Sequence, residues 1–180
     1  MEVFSNISEY FVEYMENKSI LKPMLDYIAS NPEPVGEVIY RGDCLYESEI
    51  FVGSRVKLWN TVASFTTDIN VAEKFSNDKH APDWYYDEYE WVGKEEYPFK
   101  DNIARGDKLK PVIFVVKPNE YFKGVFTEKY SGKFGESEYV VLTDNIGMRV
   151  ERIEGKFLYC DVYESPRYDK TKTEKLDLFK

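Results

Sequence analysis

A change of periodicity near residue 34 constrains this chain more than any other feature. From Phe4 to about Ala29 the apolar residues Phe4, Ile7, Phe11, Met15, then Leu21, Leu25 and Ile28 recur at three- or four-residue steps, the spacing of one helical face. Pro23 suits the first turn of a second helix. Asn31-Pro32-Glu33-Pro34 ends the helical region, because proline lacks an amide donor and biases its predecessor away from helical geometry. Beyond that point β-branched and aromatic residues take over, and helices followed by strands imply an α+β chain rather than repeating βαβ units.

Strands are predicted at Glu37 to Tyr40, Val56 to Trp59, Thr61 to Ser64 and Val112 to Val116. A short helix is expected from Asn70 to Phe75. Further strands are expected at Glu138 to Leu142, Met148 to Ile153 and Phe157 to Tyr163, with turns at Asn145-Ile146-Gly147 and Glu154-Gly155-Lys156. The stretch from Ser76 to Lys110 has weak periodicity but interleaves Trp84, Tyr85, Tyr86, Tyr89 and Trp91 with Asp87, Glu88 and Glu90. Its length and aromatic content read as a lid or recognition excursion at about 76–110, or as a locally packed insertion. From Pro166 to Lys180 charges of both signs predict a frayed tail.

At 180 residues the chain fits one domain, 1–180, long enough to bury roughly 70% of its unfolded surface. A net charge of -9 opposes sequence-independent nucleic-acid binding, which relies on Lys and Arg at phosphates. The same charge fits a non-enzymatic reading, an acidic DNA mimic that occupies another protein's basic groove. Cys44 and Cys160 have neither paired spacing nor the density of a disulfide scaffold, so reduced, buried thiols are expected. The first residues lack a basic start followed by an apolar stretch, and no run reaches membrane-spanning length, so cytoplasmic residence without membrane contact is the default expectation. A single histidine, His80, leaves no zinc site of ordinary composition and no ready triad. Catalysis would therefore fall to carboxylates, arginine, hydroxyls or a bound cofactor.

Three short pieces carry that chemistry. Arg41, in Tyr40-Arg41-Gly42, stands at a predicted strand end beside a glycine that permits close backbone approach, and its planar guanidinium can grip a pyrophosphate; equally, it is the arginine of a surface corner. Ser64 ends another predicted strand. Asp68 and Thr67 account for capping the helix that follows, which leaves the Ser64 hydroxyl available to orient a carboxylate. Glutamates two apart occur three times, at Glu47/Glu49, Glu88/Glu90 and Glu136/Glu138, so two pairs are decoys on any single-site model. Only the third follows a glycine-bearing loop, Ser131 to Gly135, and runs into a buried-looking strand. On a strand, residues two apart share a face at roughly 6.5 Å between Cα atoms, so Glu136 and Glu138 can address two reacting groups.

On these residues the chain resembles the mono-ADP-ribosyltransferase family of the Arg-Ser-Glu class, in the branch marked by Glu-x-Glu. Ser64-Phe65-Thr66-Thr67-Asp68 followed by Val71-Ala72-Glu73-Lys74-Phe75 looks most like the small Alt/Mod-type enzymes of T-even-like bacteriophages. The resemblance covers roughly Val38 to Val150. It implies N-terminal helices packed on a mixed, mainly antiparallel β-sandwich core, and one catalytic domain that binds NAD as co-substrate without metal. Arg41 would hold the phosphates with Gly42, Ser64 and Thr66 lining the cofactor site, and Glu138 would face the nicotinamide ribose. The family often has Ser-Thr-Ser where this chain has Ser64-Phe65-Thr66, so either Ser64 or Thr66 fills the serine's role. Glu136 would receive an acceptor arginine, which needs its proton removed during attack because its pKa lies above about 12. Tyr130 or Phe134 would contact the target protein. The activity implied is glycosyl transfer of ADP-ribose from NAD to arginine in bacterial host proteins, by a monomeric enzyme serving phage takeover of the host. An NAD glycohydrolase using water as acceptor would need Glu138 but not Glu136.

Overall fold

The computed structural model is described over residues 6–17, 20–58, 61–78, 108–131 and 137–165. Two helices lead the chain: α1, Ile7–Asn17, and α2, Lys22–Ser30. Pro23 stands in the first turn of α2, where its missing amide costs nothing. Of the predicted apolar face Phe11 and Ile28 are fully buried and Ile7, Met15, Leu21 and Leu25 pack beside them half-buried, while the fully buried Met24 was not among the residues expected there. This face covers Val62, Val125 and Val140 of the sheet.

The strands are β1 (Ile39–Tyr46), β2 (Arg55–Val56), β3 (Val62–Thr66), β4 (Leu109–Val116), β5 (Gly124–Phe126), β6 (Glu138–Leu142), β7 (Ile146–Glu154) and β8 (Phe157–Glu164). Helix α3, Ile69–Asp78, follows β3, and a single turn of helix, α4, Glu128–Ser131, follows β5. The sheet order is β2-β7-β8-β4-β1-β3-β6-β5, with every ladder antiparallel except β4 with β8. This is an α+β architecture.

One joint in the sheet matters for function. β1 pairs with β4 along its whole length, but it meets β3 at one residue pair, Tyr40 with Thr66. The sheet is thus two segments, β2-β7-β8-β4-β1 and β3-β6-β5, hinged along a seam. Inward residues of both segments meet in one core, Phe114, Val116 and Leu158 from the first with Phe65, Tyr139 and Val141 from the second.

Three sequence expectations are corrected. Arg41 does not end a strand: β1 continues five residues past it to Tyr46, because cross-strand pairing with β4 outweighs the turn propensity of Gly42-Asp43. The predicted strand at Val56 to Trp59 is, among the described residues, only Arg55–Val56. The turn near Asn145 is shorter than expected, since Ile146 and Gly147 already belong to β7. The short strand β5 and the turn of helix α4 had no predicted counterpart. Residues 79–107, most of the aromatic excursion, and the tail 166–180 lie outside the described residues.

Candidate active site

The seam between β1 and β3 gathers the polar groups. Ser64 sits on β3 and Glu138 opens β6, in a ladder that pairs Thr66 with Glu138 and Ser64 with Val140. Ser64 and Glu138 therefore lie diagonally across neighbouring strands, on the face that α1 covers. The Ser64 hydroxyl donates a short hydrogen bond to Glu138 Oε2. The other carboxylate oxygen, Oε1, accepts from the Thr127 hydroxyl at 2.9 Å. Glu138 is only 7% exposed, so the two hydroxyls replace water that a buried carboxylate would otherwise lack.

A third hydroxyl comes from the helical layer. Tyr14 of α1 approaches Ser64 Oγ at 3.3 Å, and because the serine proton is directed at Glu138, tyrosine is the donor of that pair. The Tyr14 phenol is pushed above its ordinary pKa by burial first and by the Glu138 charge second, against the lowering pull of Ser64 and Arg41. It stays protonated at neutral pH and can serve as this donor. The resulting order of donation is Tyr14 to Ser64 to Glu138.

Arg41 reaches the same place from β1. Its Nη1 donates to the Ser64 carbonyl at 3.0 Å, and its Nε pairs with Asp43 Oδ2 at 3.1 Å, with both side chains largely buried at 12% and 15% exposure. The guanidinium thus spans the seam and fastens one segment to the other. Among the described residues neither contact uses Nη2. Gly42 is held by a different demand: a Cβ there would stand 2.0 Å from the Ala72 carbonyl oxygen and 2.5 Å from the Ser76 amide nitrogen. The close approach that Gly42 permits is that of α3.

The two candidates for the serine's place make different contacts. The Thr66 hydroxyl accepts from the Asp68 amide at 3.0 Å, and Asp68 in turn accepts from the Asn70 amide at 2.9 Å at the start of α3. Ser64 is the residue that meets the glutamate. Of the glutamate pairs, Glu49 caps the turn Glu47–Glu49 by accepting from the Tyr46 amide at 3.0 Å, which explains it structurally. Glu88 and Glu90 lie outside the described residues.

Glu136 and Phe134 also lie outside them. The strand argument that put Glu136 and Glu138 on one face assumed extended backbone at Ser137. β6 begins at Glu138, and Ser137 has φ +47°, a left-handed conformation that breaks the alternation on which the argument rested. Glu128 holds the Ser137 amide at 3.0 Å in that conformation. Tyr130 is placed between the helices, stacked on Phe11 at 4.5 Å with its hydroxyl 2.7 Å from that of Tyr27.

Sequence reasoning missed Tyr14, Thr127 and Asp43. Tyr14 was passed over because a tyrosine on a helix face counts for little in apolar periodicity, although its polar tip was the available signal. Thr127 carried no signal without the register of β5 against β6. No group of His, Cys, Asp or Glu that could hold a metal ion is found among the described residues, and no described helix is long and apolar enough to cross a membrane.

No family model matches the sequence, and no curated protein matches it. The architecture, however, is similar to that of a solved ADP-ribosyltransferase. Among solved structures similar to it is the Vis toxin, an ADP-ribosyltransferase from Vibrio splendidus, with TM-score 0.52 at 17% identity over 95% of this chain and 76% of that one. The Vis complex with the M6 inhibitor aligns at TM-score 0.52 and 18% identity, with the same coverage. The Vis complex with agmatine aligns at 0.50 and 16%, over 93% and 76%.

Proposed function

We propose that this chain is an NAD-dependent ADP-ribosyltransferase acting on protein arginine, with residues 1–180 forming one catalytic domain. The observation that carries the reading is the buried Glu138 carboxylate, held by Ser64 and Thr127 beside a seam that Arg41 bridges. The site fits NAD in kind: Arg41 offers Nη2 to a pyrophosphate, and Glu138 offers negative charge to a sugar. Asp43 moderates the arginine's charge, so phosphate binding would draw on directed hydrogen bonds as much as on net positive potential.

In the proposed reaction the bond from ribose C1′ to the nicotinamide nitrogen breaks, and its electron pair leaves with nicotinamide. Glu138 stabilises the positive charge that develops on the sugar. A carboxylate about 4 Å away contributes about 4 kcal/mol at an effective dielectric near 20, roughly three powers of ten in rate. An arginine nitrogen of the acceptor then attacks C1′, and Glu136 takes the proton lost from the guanidinium. Agmatine, the ligand named for one of the similar structures, carries the same guanidinium group and supports an arginine-like acceptor. Tyr130 or Phe134 remains our candidate for target contact. The resemblance to the Alt/Mod-type enzymes points to bacterial host proteins as the setting.

Labelled NAD incubated with the protein and a bacterial lysate, followed by mass spectrometry of the modified proteins, reads reaction, residue and target together. Expected are ADP-ribosyl arginines that vanish with Glu138→Gln at unchanged thermal stability. Glu136→Gln should abolish protein labelling while nicotinamide release continues. Equal loss of both would remove Glu136 from the acceptor role, and labelling confined to other side chains would refute the arginine assignment.

A further inference from the structure

Glu138 has a second support that the motif does not contain. β5 and β6 pair Gly124 with Val141, Val125 with Val140 and Phe126 with Tyr139. The next step of that register sets Thr127 opposite Glu138, and side chains opposite each other on neighbouring strands share a face. Thr127 is 1% exposed. Its hydroxyl donates to Glu138 Oε1 at 2.9 Å, and its amide donates to the Glu138 carbonyl at 3.1 Å. Its own carbonyl accepts from the Tyr130 amide at 3.0 Å, which starts the turn of helix α4. One residue on, Glu128 accepts from the amide of Ser137, whose φ is +47°.

We infer that Thr127 is a positioning residue for Glu138, fixing the carboxylate from the β5 side while Ser64 fixes it from the β3 side. The inference rests on the proposed role of Glu138 in NAD cleavage. A carboxylate held through one oxygen can still rotate about its terminal bonds. Held through both oxygens, by donors on opposite flanking strands, it presents one orientation to the seam. Glu128 complements this by holding the backbone just ahead of Glu138.

The test compares wild type with Thr127→Val, which keeps the shape and removes the hydroxyl, and with Thr127→Ser, which keeps the hydroxyl. For nicotinamide release, T127V should lower kcat roughly ten- to hundredfold with little change in KM for NAD, the pattern of a lost transition-state contact. T127S should restore kcat to within a few-fold. Should T127V fail to fold, Thr127→Ala is read in the same way. Wild-type kcat in the hydroxyl-free variant, or equal losses in it and T127S, would overturn the inference. Crystal structures of unliganded wild type and variant provide a readout free of activity: Glu138 should turn away from residue 127 in the variant alone. An unmoved carboxylate counts against Thr127. A wild type that releases no nicotinamide refutes the proposed activity and leaves this structural comparison as the test of Thr127.

Discussion

The two sides of the seam are built by different means. On the β1 side the backbone of Gly42 is pressed beneath α3, and Arg41 is fixed by an ion pair and a carbonyl. On the β3–β6 side the carboxylate is held by hydroxyls from β3 and from the residue after β5, the first of them met in turn by Tyr14 of α1. Steric packing is all or nothing, because an added atom within 3 Å of backbone forces a helix to move. Hydrogen bonds can be removed one at a time. Overpacking at Gly42 should therefore register as stability, and removal of the hydroxyls that hold Glu138 as rate.

The sharpest way to break this contrast is Gly42→Ala. It should cost about 3 kcal/mol or more in unfolding free energy by displacing α3, read by chemical denaturation. Loss of activity at unchanged stability would mean that Gly42 serves the ligand instead. Next is the comparison of Ser64→Ala with Thr66→Val. The first removes a hydrogen bond to a charged group, about 1.5–3 kcal/mol, and should slow nicotinamide release roughly ten- to hundredfold. The second should leave the rate unchanged and cost about 1 kcal/mol of stability, because the Asp68 amide loses its acceptor. Reversed outcomes would hand the serine's role to Thr66.

Smaller again is Tyr14→Phe, which takes the donor from Ser64 and keeps the ring. A few-fold drop in kcat is expected, about 1 kcal/mol, with KM for NAD unmoved. The smallest effect lies away from the site. Burial, with Glu33 adding to it, raises the Tyr139 phenol to about 12 in the folded protein, against about 10 unfolded. The folded state then keeps a proton that the unfolded state has released, so stability is intact below about pH 10 and falls as pH rises toward 12. Tyr139→Phe should flatten that alkaline decline in thermal melts, and at neutral pH cost about 1 kcal/mol through the Glu33 carbonyl it now satisfies.

Much of the fold was legible because its signals are local. The periodicity of α1 and α2, Pro23 in a first turn and the apolar runs of β4, β6 and β8 need no knowledge of partners. β5 was not, since three residues, Gly124–Phe126, have no period to read. β1 was truncated because Arg41-Gly42-Asp43 reads as a turn until β4 is known to lie beside it. At the site, Arg41, Ser64 and Glu138 could be picked out by residue type and by their closeness to predicted strands. Telling the contacts of Ser64 from those of Thr66 needed the register, Glu136 lies outside the described residues, and no sequence pattern announced the left-handed φ of Ser137. Tyr14 offered only its polar tip as a signal, and its partner lies 50 residues away in sequence.

That distance also bears on how short the protein can be made. The seam itself is assembled from residues after Ile39, so a version lacking the helical layer would keep Arg41, Ser64 and Glu138. It would nonetheless strip the donor from Ser64 and uncover Val62, Val125 and Val140. A shortened chain meant to keep this arrangement must therefore begin ahead of Ile7, because the first helix supplies part of the candidate site as well as of the scaffold.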